Sequence, residues 1–219
     1  MIFQEKAYQK IASSYQSQSI TRDFLSGKTV TDAKFDKIYP SRIRELSAVH
    51  WTPVDVVIKA VSLLITKKGT KVLDVGSGCG KFCLIGASIQ PKSHFTGIEQ
   101  RSYLSEISKV ASHNFKLKNT TFIAGNMTAL DWSEYDSFYL FNPFYENQMM
   151  PANRIDISVL ANQHRHDIYV ETVQSKLMSL KQGTKVLTYH GFGGTIPEGY
   201  DLHHQESVGT SKLELWVKR

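Results

Sequence analysis

Short apolar runs rich in β-branched and aromatic residues alternate along this chain with longer stretches whose apolar residues return every three or four positions, a pattern of strands joined by helices. Val72 to Val75, Phe95 to Glu99, Thr121 to Ala124, Asp136 to Phe141 and Thr184 to His190 read as strands, the first of them buried on both faces. A helix is predicted from about Lys81. Another is predicted from about Ser102 to Phe115, with Leu104, Ile107, Val110 and Ala111 on one face. A third runs from about His166 to Leu180, where Tyr169, Val173, Leu177 and Leu180 share a face. Ahead of the first strand, Thr52 is expected to cap a helix with Pro53 at its first position and an end near Thr66. The segments Tyr200 to Val208 and Lys212 to Val217, joined through Gly209-Thr210, predict a terminal β-hairpin. The elements add up to an α/β protein with a doubly wound, mostly parallel sheet.

Residues 1–51 stand apart from this alternation. Ala7, Ile11 and Tyr15 recur at four-residue spacing and predict one helix, beyond which Ser26-Gly27 and Tyr39-Pro40 break the pattern. This stretch is expected to be a helical extension of the main unit, residues 52–219, and to serve as a lid or as a cover on the sheet edge.

Composition narrows the class. The 219 residues suit one domain plus an extension, and a hydrophobic share of 41% with a charged share of 21% is that of a globular protein in water. No apolar run approaches membrane-spanning length, and the start lacks a basic-then-apolar leader, so a cytoplasmic protein without membrane contact is expected. Two cysteines, Cys79 and Cys83, make no disulfide framework and no zinc site, and Cys79 is expected to line a ligand site. His164 with His166 and His203 with His204 lack carboxylate or cysteine partners at ligand spacing. They are read as surface histidines, and no metal is expected. The net charge of +6 permits an anionic partner, but the basic residues are dispersed along the sequence.

The candidate chemistry begins at Val72-Leu73-Asp74-Val75-Gly76-Ser77-Gly78-Cys79-Gly80-Lys81-Phe82, an apolar strand that runs into a glycine-dense turn and then a helix. Glycines at 76, 78 and 80 let the backbone turn tightly and approach a ligand closely. Phe82 after Gly80-Lys81 is wrong for a nucleoside-triphosphate loop, which needs Ser or Thr there to hold magnesium. The G-x-G-x-G spacing departs from the G-x-G-x-x-G of dinucleotide turns. Asp74 at the strand end repels pyrophosphate and suits an ammonium group, so the spacing points to a cationic cofactor bearing an amino acid. Glu99 ends the next strand at the distance expected of a carboxylate that accepts hydrogen bonds from a ribose diol.

This first motif resembles that of the class I S-adenosylmethionine (SAM)-dependent methyltransferases. The resemblance covers roughly Thr52 to Arg219 and implies the seven-stranded form of the sheet, with the C-terminal hairpin antiparallel. It also implies that SAM is held by Asp74, Gly76, Ser77, Gly78 and Glu99, with Asn126 and Met127 at the adenine and Thr52, beside Trp51, near the methionine end. Asn142-Pro143-Phe144-Tyr145 resembles the Asn-Pro-Pro-Tyr motif of amine-directed members, with Phe144 in place of the second proline. In that motif the Asn oxygen and a backbone carbonyl orient a planar amine toward the methyl group, and an aromatic ring stacks on the acceptor. Asn142, which also adjoins the cofactor, and Pro143, Phe144 and Tyr145 are thus the expected catalytic residues, and His190 is a further candidate as base or substrate contact. The acceptor stays open among small molecules, proteins and nucleic acids. A nicotinamide oxidoreductase and a non-catalytic SAM-binding module remain the alternatives.

Overall fold

The computed structural model describes residues 14–209 and 211–219. Helix α1 (Ser14–Leu25) is followed by short helical turns at Asp32–Phe35, Asp36–Ile38, Ser41–Glu45 and Ser47–His50. Then come α2 (Val54–Leu64), β1 (Lys71–Val75), α3 (Lys81–Ile89), β2 (His94–Glu99), α4 (Ser102–Phe115), β3 (Thr120–Ala124) and β4 (Ser137–Phe141). The chain closes with α5 (Gln163–Ser179), β5 (Lys185–Tyr189) and the hairpin β6 (Tyr200–Val208) and β7 (Ser211–Lys218). The seven strands form one sheet in the order β3-β2-β1-β4-β5-β7-β6. Its first five strands are parallel, and β7 joins β5 antiparallel. Crossing between β1 and β4 reverses the direction of winding, so a crevice opens at the carboxyl ends of these strands. No described helix is long and apolar enough to cross a membrane.

The predicted strands and helices are present, with ends displaced by one to three residues. Two local expectations are overturned. Thr52 does not cap α2: the helix starts at Val54 with Pro53 before it, and the Val54 N–H donates to Asp32 Oδ1 at 3.0 Å. Thr52 is instead buried, its hydroxyl 2.9 Å from that of Tyr139, so the cap comes from the preceding segment. Tyr15 is 77% exposed, while Ser17 and Ile20 turn inward from α1, so the face inferred from Tyr15 is not the packed one. Ala7 and Ile11 lie outside the described residues.

Residues 30–51 pack into the same core as the helices on that side of the sheet: Val30, Phe35, Ile38, Tyr39 and Ile43 join Val57, Phe82 and Phe115. The tie is also ionic. Lys81, at the start of α3, has a side chain only 2% exposed and lies 2.6 Å from Asp32 and 2.8 Å from Asp36. The lysine after the glycine turn therefore fastens the N-terminal cover to the sheet rather than facing a ligand.

Candidate active site

A cavity of about 770 Å³ opens at the carboxyl ends of the parallel strands, a volume within the usual range for small-molecule sites. Four sequence motifs meet on its wall: Gly76 and Gly78 after β1, Glu99 at the end of β2, Asn126-Met127 after β3, and Asn142 to Tyr145 after β4. Their approach is close. A Cβ on Gly76 would lie 2.8 Å from that of Pro143, and one on Gly78 would fall 2.2 Å from the Trp51 ring. Trp51 is held in place by its indole N–H, which donates to the Ile43 carbonyl at 2.9 Å.

The first three N–H groups of the glycine turn are spent within the protein. Those of Gly76 and Ser77 both donate to the Ile98 carbonyl at 3.0 Å, and that of Gly78 donates to Glu99 Oε2 at 3.1 Å. Glu99 Oε1 accepts from the Arg101 N–H at 2.8 Å. The turn thus offers a carboxylate in place of an anion cradle. Burial raises the Glu99 carboxyl above its usual range, against the lowering effect of these N–H donors and of the Arg101 charge.

Three predicted cofactor residues stand behind the wall rather than on it. Thr52 is bonded to Tyr139, and the Ser77 side chain packs against Gly97, where a Cβ would come within 2.6 Å of its hydroxyl. Asp74 is buried and accepts from the Cys83 thiol at 3.7 Å. Burial pushes its carboxyl up to about 8, with the Cys83 bond opposing and the Glu99 charge assisting. At neutral pH Asp74 is therefore mostly protonated. Cys79, expected on the cavity, is fully buried against Tyr39, and burial raises its thiol to about 12.

The cavity wall that follows β4 is aromatic. Phe144 is buried with its ring 5.3 Å from that of Tyr169, whose hydroxyl receives a hydrogen bond from the Asn126 amide at 3.0 Å. Asn142 sits at φ +36° and His190 at φ +59°, both in the left-handed region that non-glycine residues seldom enter. The two loops are joined by the Asn142 N–H donating to the Gly191 carbonyl at 2.9 Å. Neither the Asn142 carboxamide nor the His190 ring has a hydrogen-bond partner among the described residues, and both line the cavity. Burial lowers the His190 pKa, so its imidazole is neutral at pH 7. His166 is buried rather than on the surface, because its ring supports the second glycine loop at Gly193. No group of metal-ligating side chains occurs among the described residues.

Sequence reasoning missed Arg101. Its guanidinium is 4% exposed and lies 2.9 Å from Glu146, 3.2 Å from Asp156 and 3.8 Å from Glu99. Desolvation works against its charge, but the three carboxylates outweigh it and raise the pKa. Glu146 also accepts from the Ile155 N–H at 2.6 Å, so this cluster straps residues 146–156 to the cavity rim. A basic residue just past the Glu99 strand end was the available signal.

A family model described as a methyltransferase domain matches residues 66–177. The chain belongs to that family. Among solved structures the methyltransferase resembles TrmN from Thermus thermophilus, with 17% identity over 83% of this chain and 54% of that one and a TM-score of 0.61. The chain thus spans about half the length of TrmN. It also resembles an RNA methyltransferase from Salinibacter ruber in complex with S-adenosyl-L-homocysteine, at 16% identity over 75% and 89% of the two chains and a TM-score of 0.52. A methyltransferase from Pyrococcus furiosus matches at 15% identity over 81% and 96%, with a TM-score of 0.55. At these identities the likeness shows the fold, a Rossmann-like methyltransferase sheet. No curated protein matches the sequence.

Proposed function

We propose that this methyltransferase transfers a methyl group from SAM to a nitrogen nucleophile presented against the Asn142 to Tyr145 loop. The observation that carries the reading is the glycine turn in which the N–H groups of Gly76, Ser77 and Gly78 are engaged at Ile98 and Glu99 while Glu99 lines the cavity. A pyrophosphate would meet the Glu99 carboxyl there and find the N–H groups of Gly76, Ser77 and Gly78 already taken, which disfavours a nicotinamide dinucleotide. A nucleoside with a cationic tail fits this wall: Glu99 for the ribose hydroxyls, Met127 and Ile98 for the flat faces of the base, Asn126 at its edge. Bound SAM supplies an already activated methyl group. The protein's own task is to align the acceptor and keep water out. Trp51, Phe144 and Tyr169 close the cavity around the reacting region, and the unpartnered Asn142 oxygen accepts a hydrogen bond from the acceptor amine, fixing its lone pair. His190, neutral and on the adjacent loop, stands within the same cavity. The unit 52–219 carries these groups, and the extension up to Trp51 roofs them.

A melt followed by a labelling assay tests this. S-adenosylhomocysteine at a hundred times its dissociation constant stabilises the native state by about 2.7 kcal/mol, roughly 5–10 °C in melting temperature for a chain of this size, and NAD is expected to give no shift. The opposite pattern would end the reading. With methyl-labelled SAM and cell extract, Asn142→Ala should keep the melting shift and lose about a hundredfold in transfer, since each factor of ten is about 1.4 kcal/mol of barrier. Equal labelling by both proteins would remove Asn142 from the acceptor site.

A further inference from the structure

Lysines that look dispersed in the sequence are gathered by the fold at one end of the molecule. The loops that enter the parallel strands lie at the amino edge of the sheet, opposite the cavity. The loop before β1 carries Lys67 and Lys68, that before β2 Lys92, and that before β3 Lys116 and Lys118, all exposed. Backbone and side-chain bonds hold these loops side by side. The Gly69 N–H donates to the Lys92 carbonyl at 2.8 Å, and the Asn119 amide donates to the carbonyls of Ala87, Gln90 and Ser93. Between the first two loops lies a groove of about 340 Å³ whose lining includes Lys67, Lys68 and Lys92, with Ile65 and Pro91 as its apolar residues. Farther along the edge, Lys67 and Lys181 approach Asp136 at 3.7 and 3.1 Å, and Lys71 approaches Glu134 at 3.4 Å. Lys68, Lys92, Lys116 and Lys118 have no carboxylate partner among the described residues. From β3 to β5 the edge spans four inter-strand spacings, about 19 Å.

Cations after helix C-termini also complement helix dipoles, and Lys116 is the left-handed residue that ends α4. That need is met by one cation per helix end, whereas the loops after α2 and α4 each carry two. An anionic membrane would call for apolar side chains interleaved with the charges. None of the exposed large apolar residues lies in these loops. Aromatic platforms for stacking bases are likewise missing from them, which leaves backbone phosphate as the matching chemistry.

We propose that the amino edge of the sheet is a docking surface for the phosphate backbone of a nucleic acid, bound without regard to sequence and at the end of the molecule remote from the cavity. The contact anchors the protein and is separate from presentation of the acceptor. It does not depend on which donor the cavity holds. The net charge of +6 is in keeping with this, since the cavity rim sets three carboxylates around one arginine.

Fluorescence anisotropy of the whole chain with a fluorescein-labelled oligouridylate, a random-sequence DNA duplex and phosphatidylserine vesicles tests the surface. Nucleic acid should bind and weaken steeply with salt. Joint reversal of Lys68→Glu, Lys92→Glu and Lys118→Glu should lower oligouridylate affinity at least about tenfold and cut the log–log salt slope by about 2, the value for three lost single-strand contacts. The melting shift with S-adenosylhomocysteine should be unchanged. Should the reversed variant fail to fold, the Gln versions at the same positions should still lower affinity and slope. The proposal is overturned if wild type does not bind at low salt, if the triple variants keep affinity and slope, or if vesicles bind and nucleic acid does not. It is overturned equally if Lys37→Glu with Arg44→Glu, exposed on the N-terminal cover, costs as much, since net charge alone would then explain binding.

Discussion

A carboxyl near 8 in the folded state and near 3.9 when unfolded, as at Asp74, keeps its proton in the native protein across the interval where the unfolded chain has lost it. The stability it contributes is whole below the unfolded value and is lost as pH rises toward about 8. The slope within the window is at most about 1.4 kcal/mol per pH unit. Denaturant melts at about pH 5 and about pH 8 should show this fall in wild type, and Asp74→Asn, the uncharged isostere, should flatten it. A fall of the same size in the variant would place the titration elsewhere. The position of Asp74 at the end of β1 was legible in the sequence, because an acid after a β-branched run marks the strand end. Its charge state was not, because that depends on burial and on Cys83 and Glu99, which only the fold brings near. Thr52 and Cys79 behave alike: residue type and spacing located them, but the side chains are claimed by Tyr139 and Tyr39, partners distant in sequence.

Among the elements, the glycine turn and its helix were fully legible, since glycine spacing and apolar runs are local signals. The attachment of α3 was not. Lys81 carries no local sign of its role, and its partners Asp32 and Asp36 lie in a segment whose short helical turns have little periodicity. Removing a cation that leaves a buried carboxylate behind is strongly destabilising. Lys81→Met should therefore cost roughly 3 kcal/mol, about 6–12 °C in melting temperature, and expose residues 30–51 to limited proteolysis before the sheet is cut. A variant that melts as wild type does, with the same cleavage order, would show that apolar packing of Phe35, Ile38 and Tyr39 alone holds the cover. The helix start at Val54 was displaced for a related reason: Asp32, from that same cover, supplies the cap.

For the whole molecule, the doubly wound, mostly parallel sheet followed from the alternation of strands and helices, because the topology rules leave few arrangements. Only the place of Arg101 just past Glu99 was legible; the strap it holds was not, since Glu146 and Asp156 lie 45 and 55 positions away in the chain and carry no periodic signal. The gathering of the lysines was hidden for the same reason, as each sits in a loop between a helix and a strand. The bond from Asn142 to the Gly191 carbonyl, between two residues with left-handed backbones in the loops after adjacent strands, has a mechanical consequence. The loops after β4 and β5 are tied at this point, so a displacement of one there must either carry the other with it or break the bond. Each left-handed non-glycine residue costs about 1 kcal/mol, held by the surrounding sheet. Asn142→Gly and His190→Gly release that strain, and both should melt at or above the wild-type temperature while methyl transfer by the Asn142 variant falls. A lower melting point in either would mean that the side chain, and not the backbone, is the part the sheet is holding. These two loops are where the protein stores backbone strain, and the glycine variants are expected to trade methyl transfer for resistance to melting.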